Sequence, residues 1–125
     1  MESTMKDLKK YAYGYTRVST EEQVDGASLT NQQQAISRYA AANNIEVIGW
    51  YSDEGVSAST ANREKLQEML ADIRTHRGEI DYVIVYNTSR ISRDLQSFST
   101  TIAPALLSNG VLLRSTQENI DETPY

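Results

Sequence analysis

Tyr82-Val83-Ile84-Val85-Tyr86 is an unbroken run of β-branched and aromatic residues, and a short run of this kind reads as a strand buried on both faces. Three further segments share its character. Tyr11 to Arg17 (YAYGYTR) precedes it, as does Ile45 to Ser52 (IEVIGWYS), and Val111 to Arg114 (VLLR) follows it. Between these runs the apolar residues change period. Leu29, Ile36, Tyr39 and Ala40 form one helical stripe, Leu66, Met69, Leu70 and Ile73 a second, and Leu95, Phe98, Ile102 and Leu106 a third. Ser28, Asn62 and Ser92 are suitable N-caps, and Gly78 and Gly110 stand where helices should stop. Pro104 falls inside the third stripe, where it must kink the helix or begin a new one. The order β, α, β, α, β, α, β with short links predicts an α/β fold: a mainly parallel β-sheet with helices on both faces. In such folds ligands meet the carboxyl ends of the strands.

Composition narrows the chemistry. The chain has 125 residues, no cysteine and a single histidine, His76. Thiolate metal sites, disulfide scaffolds and cysteine nucleophiles are therefore excluded, and a Ser-His-Asp triad or a multi-histidine metal centre is disfavoured. His76 lies in the polar stretch Arg74-Thr75-His76-Arg77-Gly78 and reads as a solvated helix-end residue. No apolar run is long enough to span a bilayer, and Met1 to Lys10 carries charges where a signal peptide would be apolar. A cytoplasmic protein with no membrane partner is expected. Neither internal repeats nor a Pro/Gly/Ser-rich linker divides the chain, so residues 1–125 read as one domain.

The net charge is −5 and the isoelectric point near 4.8, so the overall basic balance of a non-specific DNA binder is absent. Yet four of the eight arginines fall on or beside the strand ends. Arg17 closes the first strand, Arg63 opens the helix after the second, and Arg90 and Arg93 follow the third. Hydroxyls interleave with them at Ser19, Ser57, Ser89 and Ser92. Guanidinium groups match phosphate oxygens bidentately and stay charged, so arginines around a serine point to a phosphate, with the serine as nucleophile. Taken singly, each residue also fits a plain surface or capping role. A phosphate-binding module of flavodoxin-like shape, without catalysis, would use the same layout.

Five separated segments then carry a resemblance. Tyr15-Thr16-Arg17-Val18-Ser19-Thr20-Glu21-Glu22-Gln23, Ser28-Leu29-Thr30-Asn31-Gln32, Tyr51-Ser52-Asp53-Glu54-Gly55-Val56-Ser57-Ala58, Ser89-Arg90-Ile91-Ser92-Arg93-Asp94 and Ser115-Thr116-Gln117-Glu118-Asn119-Ile120-Asp121 resemble, in order and spacing, the catalytic domain of the serine site-specific recombinases. Within that resolvase/invertase family the large phage-integrase branch is the most similar. The resemblance implies a resolvase-like fold and site-specific DNA recombination, with Ser19 attacking a phosphodiester to form a 5′-phosphoserine intermediate. It implies that Arg17, Arg63, Arg90 and Arg93 surround the phosphate. Gln23, Gln32, Ser57 and Asp94 fall on supporting positions. Ser89 stands where the commonest form of the motif has aspartate, so no carboxylate is assigned a role there. Transposases using the same domain are the alternative within this chemistry.

Exchanging one phosphodiester for another through a serine ester conserves bond energy, so neither a cofactor nor a metal is implied. Arginines would hold the developing phosphoryl charge. Each charge-assisted hydrogen bond contributes roughly 1.5–3 kcal/mol. The implied partners are double-stranded DNA and, in a full-length protein, a homodimer that assembles into a synaptic tetramer. The resemblance places a dimerisation helix and DNA-reading domains beyond Tyr125. Residues 1–125 alone are therefore expected to be monomeric and inactive.

Overall fold

The computed structural model describes residues 9–18, 28–54, 64–87 and 102–117. Four strands, β1 (Lys10–Val18), β2 (Ile45–Glu54), β3 (Tyr82–Val85) and β4 (Leu112–Ser115), form one sheet in the order β2-β1-β3-β4. All three pairings are parallel. The helices are α1 (Leu29–Ala42), α2 (Glu64–Thr75) and the short α3 (Ala103–Leu107). A buried parallel sheet needs cover on both faces, and two apolar clusters provide it. Ala12, Ile36, Ala40, Ile45 and Ile84 pack under α1. On the opposite face Tyr13, Tyr15, Val83 and Val85 meet Leu66, Met69, Leu70 and Ile73 of α2 and Leu106 of α3. The expected α/β architecture with helices on both faces is the one observed.

Local chemistry explains the boundaries. Ser28 caps α1, its hydroxyl accepting from the Asn31 N–H at 3.2 Å. The helix ends without a glycine: Asn44 takes the left-handed conformation at φ 58°, which asparagine tolerates better than most residues. All four apolar positions expected of α2 are buried. Gly78 and Gly110, in the turns after α2 and α3, have φ of 91° and 75°, the region that favours glycine. Pro104 lies in the first turn of α3, so it begins a helix there. Asn62, Ser92, Leu95 and Phe98 lie outside the described residues. Just past α2, His76 is exposed and its Nδ1 is 3.6 Å from Glu79, the solvated position expected of it.

The pairing of β1 with β2 contains one irregularity with large consequences. Ala12 pairs with Val47 but Tyr13 pairs with Gly49, so Ile48 is an extra residue, a β-bulge. Side chains alternate along a strand, and a one-residue slip exchanges faces. Before the bulge, Ile45 and Val47 face α1. After it, Tyr51 packs on the α2 face, edge-on to Tyr13 with ring centroids 5.0 Å apart. The same phase puts Asp53 on the α2 face, in register with Arg17. Trp50 is brought over Gly14 on the α1 face, where a Cβ at Gly14 would lie 2.6 Å from the indole ring.

Candidate active site

The strand order β2-β1-β3-β4 sets a topological switch point between β1 and β3, whose following helices cover opposite faces. Ligands of open α/β sheets bind in the crevice outside the strand ends at that point. Arg17 is there. It follows Tyr13 and Tyr15 on the α2 face of β1 and is completely buried. A guanidinium stays charged under all ordinary conditions, so the switch point carries a fixed cation.

Gln32 holds the backbone that carries it. Pairing between β1 and β3 ends at Tyr15 and Val85, whereas pairing between β1 and β2 runs on to Val18 and Glu54. The N–H and C=O of Arg17 face the side that β3 has left. Gln32, on the inner face of α1 and fully buried, fills the gap like a one-residue strand. Its Oε1 accepts from the Arg17 N–H at 3.3 Å and its Nε2 donates to the Arg17 carbonyl at 3.1 Å. In this structure Gln32 is thus a clamp on the Arg17 backbone.

Asp53 organises the other side. Its carboxylate is buried and accepts the Tyr15 hydroxyl at 2.7 Å. It also accepts the N–H of Lys65 at 3.0 Å and of Leu66 at 3.1 Å, in the first turn of α2. The carboxylate therefore caps α2 from a neighbouring strand, complementing the helix dipole. On the α1 face, Thr16 Oγ1 and Ser52 Oγ share a hydrogen bond of 2.6 Å. At the far strand ends the Thr116 hydroxyl donates to the Tyr86 carbonyl at 2.8 Å, and its N–H to Val85 at 3.0 Å.

Sequence reasoning assigned no role to Asp53 or Tyr15. An Asp closing a strand was the available signal, but its facing depends on the Ile48 bulge, which alternation alone does not reveal. Deeper in the α2 face, burial and then the 2.6 Å hydrogen bond to Asp72 push the Tyr51 hydroxyl well above the ordinary tyrosine range, which keeps it protonated. A groove of about 580 Å³ lies elsewhere, between Trp50 and the outer side of α1. It contains neither Arg17 nor Gln32.

Of the residues expected at the site, the structure places Arg17 and Gln32 and brings them into contact. Ser19, Gln23, Ser57, Arg63, Ser89, Arg90, Arg93 and Asp94 lie outside the described residues. Arg63 directly precedes Glu64, the first residue of α2.

Known proteins are similar to this chain. The family model for the resolvase N-terminal domain matches residues 12–125. The N-terminal catalytic domain of TP901-1 integrase superposes with a TM-score of 0.78 and 30% identity, over 90% of this chain and 81% of that one. A resolvase-family site-specific recombinase from Streptococcus pneumoniae is similar at a TM-score of 0.74 and 32% identity, over 90% of this chain and 76% of that one. Uncharacterized immunity region protein 3 of Bacillus phage phi105 is 38% identical over 60 residues, 47% of this chain and 73% of that protein. The family match covers nearly the whole chain, and the four-stranded parallel sheet with its helices matches the fold of the TP901-1 integrase catalytic domain; the chain belongs to the resolvase N-terminal domain family, the catalytic domain of serine recombinases.

Proposed function

We propose that the domain cuts and rejoins double-stranded DNA at specific sites through Ser19. In the proposed reaction the Ser19 oxygen attacks a backbone phosphorus and the 3′ oxygen of the neighbouring nucleotide leaves with a proton. The DNA 5′ end is then held as a phosphoserine ester. Reversal with a different 3′ hydroxyl rejoins the strand, and the bond count is conserved throughout. The observation that carries this reading is Arg17, a buried cation at the switch point two residues before Ser19. Arg63, Arg90 and Arg93 complete the phosphate's surroundings in this proposal, and Gln23, Ser57, Ser89 and Asp94 support them. No metal or cofactor takes part.

The division of labour along the chain is also proposed. Residues 1–125 are the catalytic domain, while dimerisation, synaptic tetramer formation and most DNA affinity belong to other segments of the full-length protein. Among the described residues no helix is long and apolar enough to cross a membrane, in keeping with action on DNA in the cytoplasm.

The test is a suicide DNA substrate incubated with full-length protein in the presence of a chelator. A covalent protein–DNA adduct is expected on denaturing electrophoresis, and Ser19→Ala should abolish it. Arg17→Ala should slow adduct formation about 10²-fold or more, as loss of a transition-state charge partner does, with much less effect on DNA binding. Dependence on magnesium, or survival of the adduct in Ser19→Ala, would sink the mechanism. If recombination itself persisted in Ser19→Ala, the non-catalytic phosphate-binding reading would hold for this domain.

A further inference from the structure

We propose that the groove between Trp50 and the outer side of α1 receives the sugar-phosphate backbone of duplex DNA, with Arg38 holding a phosphate and the indole packing on a sugar; the inference rests on the function proposed above. The groove has a volume of about 580 Å³ and is lined by Thr30, Gln33, Gln34, Ser37, Arg38 and Trp50. The fold sets both of its walls. Trp50 pairs with Gly14 and lies on the α1 face of β2, an edge strand of the sheet. The missing side chain at Gly14 lets the indole lie against β1, yet Trp50 remains 39% exposed. The opposite wall is one side of α1, whose lining residues recur every three to four positions and so stand one above another. From Thr30 to Arg38 that wall runs for about 12 Å.

Charge selects the occupant. Arg38 is the one charged residue of α1, which carries no carboxylate, whereas α2 carries Glu64, Glu68 and Asp72. In a chain of net charge −5 this wall is therefore locally cationic. Arg38 is exposed. Among the described residues the ion pairs join Lys65 to Glu68 and His76 to Glu79, and neither involves Arg38. The other polar lining groups are two hydroxyls and two amides, which donate to anionic oxygens without repelling them. Arginine with serine, threonine and glutamine is the set of side chains that contacts the phosphates and sugars of DNA, and the indole offers a deoxyribose an apolar surface. An acidic peptide would also meet Arg38, but a DNA strand repeats phosphate and sugar along its length as the wall repeats its polar groups. Gln32, which clamps the Arg17 backbone, directly precedes Gln33, so the groove leads away from the switch point along α1. A strand whose reacting phosphate lies beside Arg17 is thereby gripped on its flank.

Duplex binding by the full-length protein over a range of salt concentrations tests this, with wild type, Arg38→Ala, Arg38→Lys and, as a control on the opposite face, Arg74→Ala. Each phosphate contact contributes about 0.9 to the slope of log affinity against log salt. Arg38→Ala should lower that slope by about 1 and weaken binding about 3- to 10-fold near 0.1 M salt, equally on the protein's own site and on an unrelated duplex. Arg38→Lys should keep the slope, since an ammonium also neutralises a phosphate, and Arg74→Ala should leave slope and affinity unchanged. Trp50 emission, isolated as the difference between wild type and Trp50→Phe, should shift on adding duplex and not on adding a polyglutamate peptide. An unchanged slope in Arg38→Ala overturns the proposal, as does an equal fall in Arg74→Ala or a Trp50 emission that saturating duplex leaves unchanged. A shift that follows the peptide, or protein concentration without DNA, gives the groove to an acidic segment or to a second copy and equally overturns it. Should Trp50→Phe fail to fold, the Arg38→Ala slope decides alone. A wild-type protein that binds no duplex refutes the recombinase reading and this inference together, whereas a Ser19-linked adduct from wild type with an unchanged slope in Arg38→Ala refutes this inference alone.

Discussion

Replacing Gln32 by methionine removes both ends of the clamp on Arg17 while keeping an unbranched side chain of similar length. The N–H and C=O of Arg17 then lose the partners they have at 3.3 and 3.1 Å in a fully buried place. An unsatisfied buried polar group costs about 1–3 kcal/mol, and bonds at the long end of the range place each group toward the lower figure. The apolar methionine recovers part of the loss, so Gln32→Met should destabilise the 125-residue chain by about 2–3 kcal/mol. At this size that corresponds to a fall in Tm of about 8–12 °C. Equilibrium unfolding in urea measures it, with the slope m unchanged. A loss below about 1 kcal/mol would show that the clamp is incidental.

Gln32→Glu sharpens the test through pH. A carboxylate can accept from the Arg17 N–H but cannot donate to its carbonyl; a protonated carboxyl can do both. Folding therefore raises the pKa of the introduced group above its unfolded value of about 4.3. Stability of this kind is fully present below the unfolded pKa and is lost as pH rises through the folded one. The gap between Gln32→Glu and wild type should be small near pH 4 and widen toward pH 7. A gap that is constant across that window, or narrows, would contradict the hydrogen-bond assignment.

Gly14→Ala should displace Trp50, whose ring lies 2.6 Å from where the new Cβ would stand; about 1–3 kcal/mol of stability should be lost with a shift in tryptophan fluorescence, and an unchanged spectrum would refute the packing. Deleting Ile48 should remove the extra residue yet leave Ala12 opposite Val47 and Tyr13 opposite Gly49, so Asp53 keeps its place beside Tyr15 and α2 and the variant should still unfold cooperatively; loss of cooperative unfolding would show that the bulge does more than set the register. The raised pKa of Tyr51 means that its contribution to stability is intact below about pH 10 and is lost as pH climbs above it. Thermal melts of wild type should therefore fall in strongly alkaline buffer, and those of Tyr51→Phe should fall less.

Helix α2 was the most legible element, because its four apolar positions are all buried and follow one period. The first helix was read from the same kind of stripe, yet its innermost polar residue, Gln32, lies on that stripe at full burial. An amide among apolar positions was the visible signal, but its target, a strand edge left by β3, is a tertiary feature. The strands were located correctly and their ends were not: β2 extends to Glu54 because Asp53 and Glu54 pair with Arg17 and Val18. Asp53 escaped notice for a stronger reason. Counting alternate residues from Ile45 and Val47 assigns Asp53 to the α1 face, and only the bulge at Ile48 moves it to the face of Tyr15 and α2. Of the residues proposed to hold the phosphate, Arg17 was legible because a cation ending a buried strand has few structural reasons to be there.

The central claim is that Ser19 becomes joined to DNA beside the cation of Arg17. Mass spectrometry of the peptide released from the trapped covalent adduct tests it most directly. A single nucleotide-bearing peptide is predicted, modified at Ser19 through a 5′ phosphate. Attachment at any other residue, or through a 3′ phosphate, would contradict it.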